Sequence, residues 1–473
     1  MDLKQTWKYS HYSQVPQILK GTSKVSGVIS AFNVNIDAIL PINGARILEL
    51  INEHSVGLES LLQDEPRQID SFSDLLRGIV RCFSKGIAEE WLISNDSTYK
   101  IISEALGYDR LQMGGQAGIV ANAAAVSNVR NVYVHCASLP GDQASLFLDL
   151  DNLKSFDTNG SLVKANKINR PDLPLIHWII EFNKGDSFEF EGETFTCPKS
   201  NRFIATYDPL NLALTIDPSF AAVVDHPYSL VILSGYHMLT HSLPGGVTSE
   251  ERITSSIPVI TSWKKTGVIT HLELASTQDV VVRKEILDIV VPHVDSAGLN
   301  ERELIDCLEV MGEQELADVI DSDTSSVNVF KGLLTLVKML NLPRVQLHMF
   351  GLYITVQHPG FSISPEDNLR GMLLASVAAA SKCGSGAIDT FESLIWALDQ
   401  GLNEPADHSL MEFERLFNYL EEEHGVGKEF LESGIGSIGE HDVIAVPTIL
   451  VPKPKTLVGM GDSISSLSLI GAL

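Results

Sequence analysis

Residues 114–137 read GGQAGIVANAAAVSNVRNVYVHCA. A paired-glycine turn opens an alanine-rich helix, expected over Gln116–Val126, and a short β-branched strand follows at Asn131–Ala137. The same alternation recurs outward along the chain. Short apolar runs at Val25–Ser30, Ser229–Leu233, Gly267–Leu274, Ile289–Val294 and Val443–Val451 are expected strands, and Asn368–Ala380 is a second apolar helix. Strands separated by helices imply an α/β fold with a parallel sheet covered on both faces.

Two segments break the pattern. Ile42–Leu111 is more charged and mostly helical in character, whereas Ile176–Ile204 alternates apolar and polar residues, as half-exposed antiparallel strands do. Their pairing in space would make a smaller domain inserted into the large one. The expected division is residues 1–38, 113–172 and 208–473 for the large domain, with 39–112 and 173–207 for the small one.

With 473 residues, 44% hydrophobic and 20% charged, the composition is that of a globular protein able to bury a core and shape a cleft. A formal charge of −26 repels phosphate backbones and anionic lipid, so neither nucleic acid nor membrane is an expected partner. Five cysteines, none in a CxxC pair, read as scattered thiols of a reducing compartment. The polar N-terminal stretch and the lack of a spanning apolar run point to a cytoplasmic protein, a monomer or small homo-oligomer.

Ligands of open α/β sheets sit beyond the strand carboxyl ends, so the residues there carry the functional reading. The first strand leads into Asn33-Val-Asn-Ile-Asp37, where alternation turns two amides and a carboxylate to one side, a set suited to sugar hydroxyls or to turns and caps. Gly114 and Gly115 allow close backbone approach before Gln116, although this is neither a P-loop nor a dinucleotide fingerprint. Near the C-terminus, Gly459-Met460-Gly461-Asp462 opens a helix. Its backbone N–H groups can form an anion hole, and Asp462 can accept a proton from an attacking hydroxyl or simply cap the helix. Glu273 in His-Leu-Glu and Glu303 in Asn-Glu-Arg-Glu are hard oxygen donors suited to Mg²⁺. His177, Lys184 and Arg202 lie on the alternating insert, and the two cations can hold a sugar phosphate or sit on the surface.

NVNID, GGQAGI, HLELAS, GLNERE and TLVGMGDS, in this order and spacing, resemble the archaeal ADP-dependent sugar kinases, the ADP-dependent phosphofructokinases and glucokinases. IHWIIEF and NRFI resemble their lid strands, so the likeness spans nearly the whole chain. It implies a ribokinase-like large domain with a small α/β lid. It also implies ADP as phosphoryl donor, Mg²⁺, and fructose 6-phosphate as acceptor, with glucose the alternative. By resemblance Asp462 is the base that also meets the metal with Glu273 and Glu303, and the amides of Gly459, Met460, Gly461 and Asp462 form the anion hole. Asn35, Asp37, Gly114, Gly115, Gln116 and His177 match sugar-binding positions, and Glu90 matches a lid glutamate used on glucose. His348 and Tyr353, with Gly461, match the nucleotide side. A regulator that binds nucleotide or sugar without catalysis would keep this fold but need neither Asp462 nor the acidic clusters.

Overall fold

The β-branched runs form two sheets and a hairpin in a computed structural model that describes every residue except 1, 66, 244, 245, 278 and 457. In chain order the first strands are β1 (Val28–Ala31), β2 (Asn35–Pro41), β3 (Glu89–Leu92), β4 (Arg110–Gly114), β5 (Val132–Val134), β6 (Leu153–Phe156) and β7 (Leu162–Lys164). Then come β8 (Ile176–Phe182), β9 (Ser187–Phe190), β10 (Glu193–Thr196), β11 (Asn201–Tyr207) and β12 (Leu230–Leu233). The series closes with β13 (Ile269–Glu273), β14 (Ser296–Leu299), β15 (Arg344–Met349), β16 (Leu352–Gln357), β17 (Ile435–Ile438) and β18 (His441–Pro447).

The larger sheet has eleven strands in the order β17-β18-β16-β15-β14-β13-β12-β1-β5-β6-β7. Neighbours run parallel from β15 through β6, and β16, β18, β17 and β7 add antiparallel edges. All four residues of β1 are buried, as a strand covered on both faces requires. The smaller sheet has five strands in the order β3-β11-β8-β2-β4. There Ile176–Phe182 alternates buried and more exposed residues, with one face on the core. The junctions expected at 38/39 and 112/113 fall inside β2 and β4, because both strands hydrogen-bond wholly within the smaller sheet.

Helices α1 (Gly44–Glu53), α2 (Phe72–Lys85) and α3 (Asp96–Leu106) contribute to the core of the smaller sheet. In the larger unit, α4 (Gln116–Val126) spans the residues expected from its alanine pattern. Helix α5 (Glu301–Val310) follows β14, and α6 (Pro365–Ser385) packs against α7 (Met460–Ala472). One contact between α6 and α7 is unusually close. A Cβ built on Gly371 would stand 1.8 Å from the Ser468 carbonyl oxygen, so the two backbones meet where only glycine fits. Gly371→Ala is expected to cost about 1–3 kcal/mol through overpacking, read as a lower thermal midpoint. An unchanged midpoint would show that the helices separate freely there.

One expected strand is wrong. Ile289–Val294 carries helical turns instead, through Ile286–Val290 and Val291–His293, and the strand is Ser296–Leu299. Pro292 supplies no backbone N–H for a ladder, and a short apolar run does not by itself distinguish a strand from a buried helical turn. The five cysteines are buried and free. Among the described residues no helix is long and apolar enough to cross a membrane.

Candidate active site

A cavity of about 960 Å³ opens where the carboxyl ends of the large sheet's strands face the smaller sheet. The large unit contributes Asn33, Gly115, Gln116, His237, Gly459 and Asp462, and the smaller sheet contributes Asn35, Asp37, Glu90, His177 and Arg202. A smaller concavity of about 620 Å³ lies at the opposite strand ends, around Lys264, Asp295 and His358, without such convergence.

One side of the cavity is built on β2 and on the segment that leads into it. Asn33, Asn35 and Asp37 are buried side chains on the cavity, the last two on one face of β2 as alternation requires. Asn35 Nδ2 donates to Asp37 Oδ1 over 3.0 Å. Burial lifts the Asp37 carboxyl above the usual carboxylate range, opposed by the His177 charge and by hydrogen bonds from Gln112 and Asn35, while Glu90 adds to the rise. Gly114 is the direct strand partner of Asn35. Gln116 accepts a hydrogen bond from the Gly235 N–H over 3.3 Å and also hydrogen-bonds Asp462.

His177 Nε2 lies 3.1 Å from Asp208 Oδ2. Burial works against its protonation, but the Asp208 hydrogen bond and charge, with Glu90 and Asp37, outweigh it and raise its pKa. Asp208 is itself fixed by the Asn211 side-chain amide over 2.9 Å. The sequence reading missed Asp208 and His237, and the Tyr-Asp-Pro that closes β11 was the available signal for the first. His237 faces the same cluster, but burial pushes it down to about 4, leaving it neutral.

Two adjacent glutamates have separate jobs. Glu89 is held by Arg81 Nε at 3.1 Å to both carboxylate oxygens and by Trp91 Nε1 at 3.0 Å. Glu90 accepts from Thr206 Oγ1 over 2.5 Å, and its charge acts on Asp37, His177 and His237. Glu90 is therefore the glutamate available to a ligand.

The cations divide differently from expectation. Arg202 lines the cavity, but Lys184 does not: it sits exposed in the turn between β8 and β9, where its N–H donates to Ser200 Oγ. Strand β8 ends at Phe182 and the chain leaves the sheet there, which carries Lys184 past the cavity-lining His177 and into solvent. Arg67, unmarked in the sequence reading, lines the cavity instead. Its guanidinium lies 3.7 Å from Glu89, a carboxylate already engaged by Arg81.

The opposite wall is the start of α7. Gly459 caps it in the left-handed conformation, with φ 60°, and no side chain caps the helix. The first N–H groups of an uncapped helix have no intrahelical acceptor, and together with the helix dipole they attract anions. Asp462 lies in this first turn, buried and on the cavity. Burial raises its pKa above the usual carboxylate range, while the Gln116 hydrogen bond and the Lys382 charge draw it back.

Behind Asp462 stands a layer of buried carboxylates. Glu273 ends β13, and its pKa is driven well above the usual value by burial, then by the charges of Asp462 and Glu303. Glu303 is pushed up to about 8 by burial, although its Oε2 accepts from the Asn300 N–H over 2.8 Å in a capping box. His271 Nε2 lies 3.2 Å from Glu273 Oε2, and its Nδ1 lies 2.9 Å from Ser296 Oγ. His348 and Tyr353 are opposite partners of the β15–β16 hairpin and share a face. His348 Nε2 would lie 2.9 Å from a Cβ on Gly461, and its Nδ1 is buried without a hydrogen-bond partner. Tyr353 belongs to the main core, and neither residue lines the cavity.

The sequence model described as the "ADP-specific Phosphofructokinase/Glucokinase conserved region" matches residues 26–471. An ADP-dependent glucose/glucosamine kinase of Pyrococcus abyssi is 32% identical over 98% of this chain and 98% of its own length. An ADP-specific phosphofructokinase of Methanosarcina acetivorans is 28% identical over 100% and 98%. Among solved structures, the last common ancestor of ADP-dependent phosphofructokinases from Methanosarcinales superposes with a TM-score of 0.89 at 31% identity, covering 100% of this chain and 99% of that one. An ADP-dependent kinase in complex with fructose 6-phosphate and ADPβS gives a TM-score of 0.78 at 30% identity, covering 98% and 97%. The chain belongs to the ADP-specific phosphofructokinase/glucokinase family.

Proposed function

We infer that the chain is an ADP-dependent sugar kinase that moves the β-phosphoryl group of ADP to fructose 6-phosphate, giving fructose 1,6-bisphosphate and AMP. The observation that carries the reading is one cavity that holds a polyol-binding set, a buried carboxylate on an uncapped helix N-terminus, and two arginines of a chain whose net charge is −26. Asn35, Asp37, Gln116 and His177 orient the sugar. Asp462 takes the proton of the attacking hydroxyl as that oxygen bonds to phosphorus and AMP departs. The N–H groups of Met460, Gly461 and Asp462 face the phosphoryl oxygens as charge builds on them. Arg67 and Arg202 hold the 6-phosphate. In this reading residues 35–114 and 176–207 act as the lid, and its closure excludes water from the cleft.

Glucose is the second acceptor, because the Glu90 carboxylate lines the same cavity and, with one oxygen bonded to Thr206, keeps the other to accept from a sugar hydroxyl. Assay of the purified protein with ADP or ATP, each against glucose and fructose 6-phosphate, tests both readings. Transfer from ATP alone, or to neither sugar, would overturn them.

Glu273 and Glu303 fit a divalent cation: two buried carboxylates whose pKa values are raised by burial and then by the charge of Asp462, and for Glu273 also of Glu303, gain from a positive charge nearby. Among the described residues no three His, Cys, Asp or Glu side chains are arranged as a closed metal site. One or two carboxylates with waters and substrate phosphate is a usual Mg²⁺ arrangement, and the ion would neutralise charge on the transferring group. Glu273→Gln and Glu303→Gln are each expected to raise the Mg²⁺ concentration for half-maximal rate by about 10- to 100-fold. An unchanged metal requirement in both would remove them from the site.

A further inference from the structure

We propose that Lys382 is a positioning residue for phosphoryl transfer, locking the Gly459–Ser463 turn so that the N–H groups at the start of α7 and the Asp462 carboxylate face the cleft. The proposal rests on the kinase reading above and adds to it a residue outside the cavity wall.

Lys382 lies on α6, near the end of a long run of buried residues that packs against α7. Its Nζ donates to the Gly459 carbonyl over 2.9 Å and to Ser463 Oγ over 3.0 Å. Ser463 Oγ donates in turn to the same Gly459 carbonyl over 2.8 Å. Three polar groups thus tie both ends of the turn that contains Met460, Gly461 and Asp462. The tie takes the place of a side-chain cap, which α7 lacks. A side-chain cap would accept from the helix's first N–H groups and so compete with an anion for them. A lysine cannot accept, so it fixes the turn from its carbonyl side and does not compete for the N–H groups of Met460 and Gly461.

Placing an ammonium here is costly, which argues against a purely packing role. Burial lowers the Lys382 pKa to about 8, and the charge of Asp462 opposes that fall. A methionine of similar length would fill the space without the desolvation. Gly459 adds a steric reason. A Cβ on it would meet Ile119 Cδ1 at 2.6 Å and Lys382 Nζ at 3.2 Å, so the ammonium and the turn are built against each other.

Lys382→Met, Lys382→Arg and Ser463→Ala are measured beside the wild type for kcat, for KM of sugar and ADP, and for thermal midpoint. Lys382→Met is expected to lower kcat about 10- to 100-fold with both KM values within about twofold, since the lost alignment acts on the transition state. Lys382→Arg, which can donate to both oxygens, is expected to recover about tenfold of that loss. A Lys382→Met enzyme within about twofold of wild-type kcat overturns the proposal, as does an arginine variant no faster than the methionine one. Should Lys382→Met fail to fold, Ser463→Ala decides: a three- to tenfold fall in kcat at constant KM supports the tie, and an unchanged kcat overturns it. A wild-type protein that transfers no phosphoryl group overturns the kinase reading and this proposal together, whereas an active wild type with an unaffected Lys382→Met overturns the proposal alone.

Discussion

Asp462→Asn is expected to lower kcat by about 10²–10⁴, which corresponds to about 2.7–5.5 kcal/mol of lost transition-state stabilisation. The substitution keeps shape and burial and removes only the capacity to take a proton. The KM values should change little, because the amides around Asp462 that meet the phosphoryl group belong to the backbone. The acid limb of the pH profile adds a second signature. A base works only when ionised, and burial raises the Asp462 pKa above the usual carboxylate value of about 3.9. Activity is therefore expected to fall, as pH drops, at a higher pH than an exposed aspartate would give. In the asparagine variant that limb should vanish along with the rate. Near-normal turnover, or an unchanged acid limb, would show that another group takes the proton.

Much of this site was legible in the sequence because its parts announce themselves locally. Asn35 and Asp37 alternate on one strand, and Gly459–Asp462 opens a helix after a strand, so neighbours in sequence suffice to place them on one face or one turn. The α4 helix was legible for the same reason, since its alanine run decides its own conformation. Contacts made across the fold were not legible. Lys382 stands 77 residues from Gly459 and meets it only because α6 packs on α7. Arg67 and Arg202 come from different segments and share a cavity by tertiary arrangement, whereas Lys184, close in sequence to Arg202, turns outward. The strand mistaken at Ile289–Val294 shows the same limit. Hydrophobicity says that a segment is buried, and the backbone's hydrogen-bond partners then decide its shape.

The choice of sugar gives the other large effect. Glu90→Ala is expected to lower kcat/KM for glucose about 10- to 100-fold, while fructose 6-phosphate turnover holds or improves. Losing a hydrogen bond to a charged group costs about 1.5–3 kcal/mol, which sets that range. Removing the carboxylate also removes one negative charge from an acidic cavity that must receive the 6-phosphate. Arg202→Ala and Arg67→Ala are expected to act in the opposite sense, raising KM for fructose 6-phosphate more than for glucose, because a neutral sugar gives a guanidinium no charge to hold. Lys184→Ala should leave both sugars unchanged, since its side chain is outside the cavity. That variant separates general loss of positive charge from loss at the site. Salt gives a further handle, because an arginine–phosphate contact at a half-open rim weakens with ionic strength, so KM for fructose 6-phosphate should climb with added salt faster than KM for glucose. If Glu90→Ala and Arg202→Ala reduce both activities in equal proportion, the lid does not discriminate between the sugars, and the selection lies with Asn33 and Gln116 on the large unit's side of the cavity.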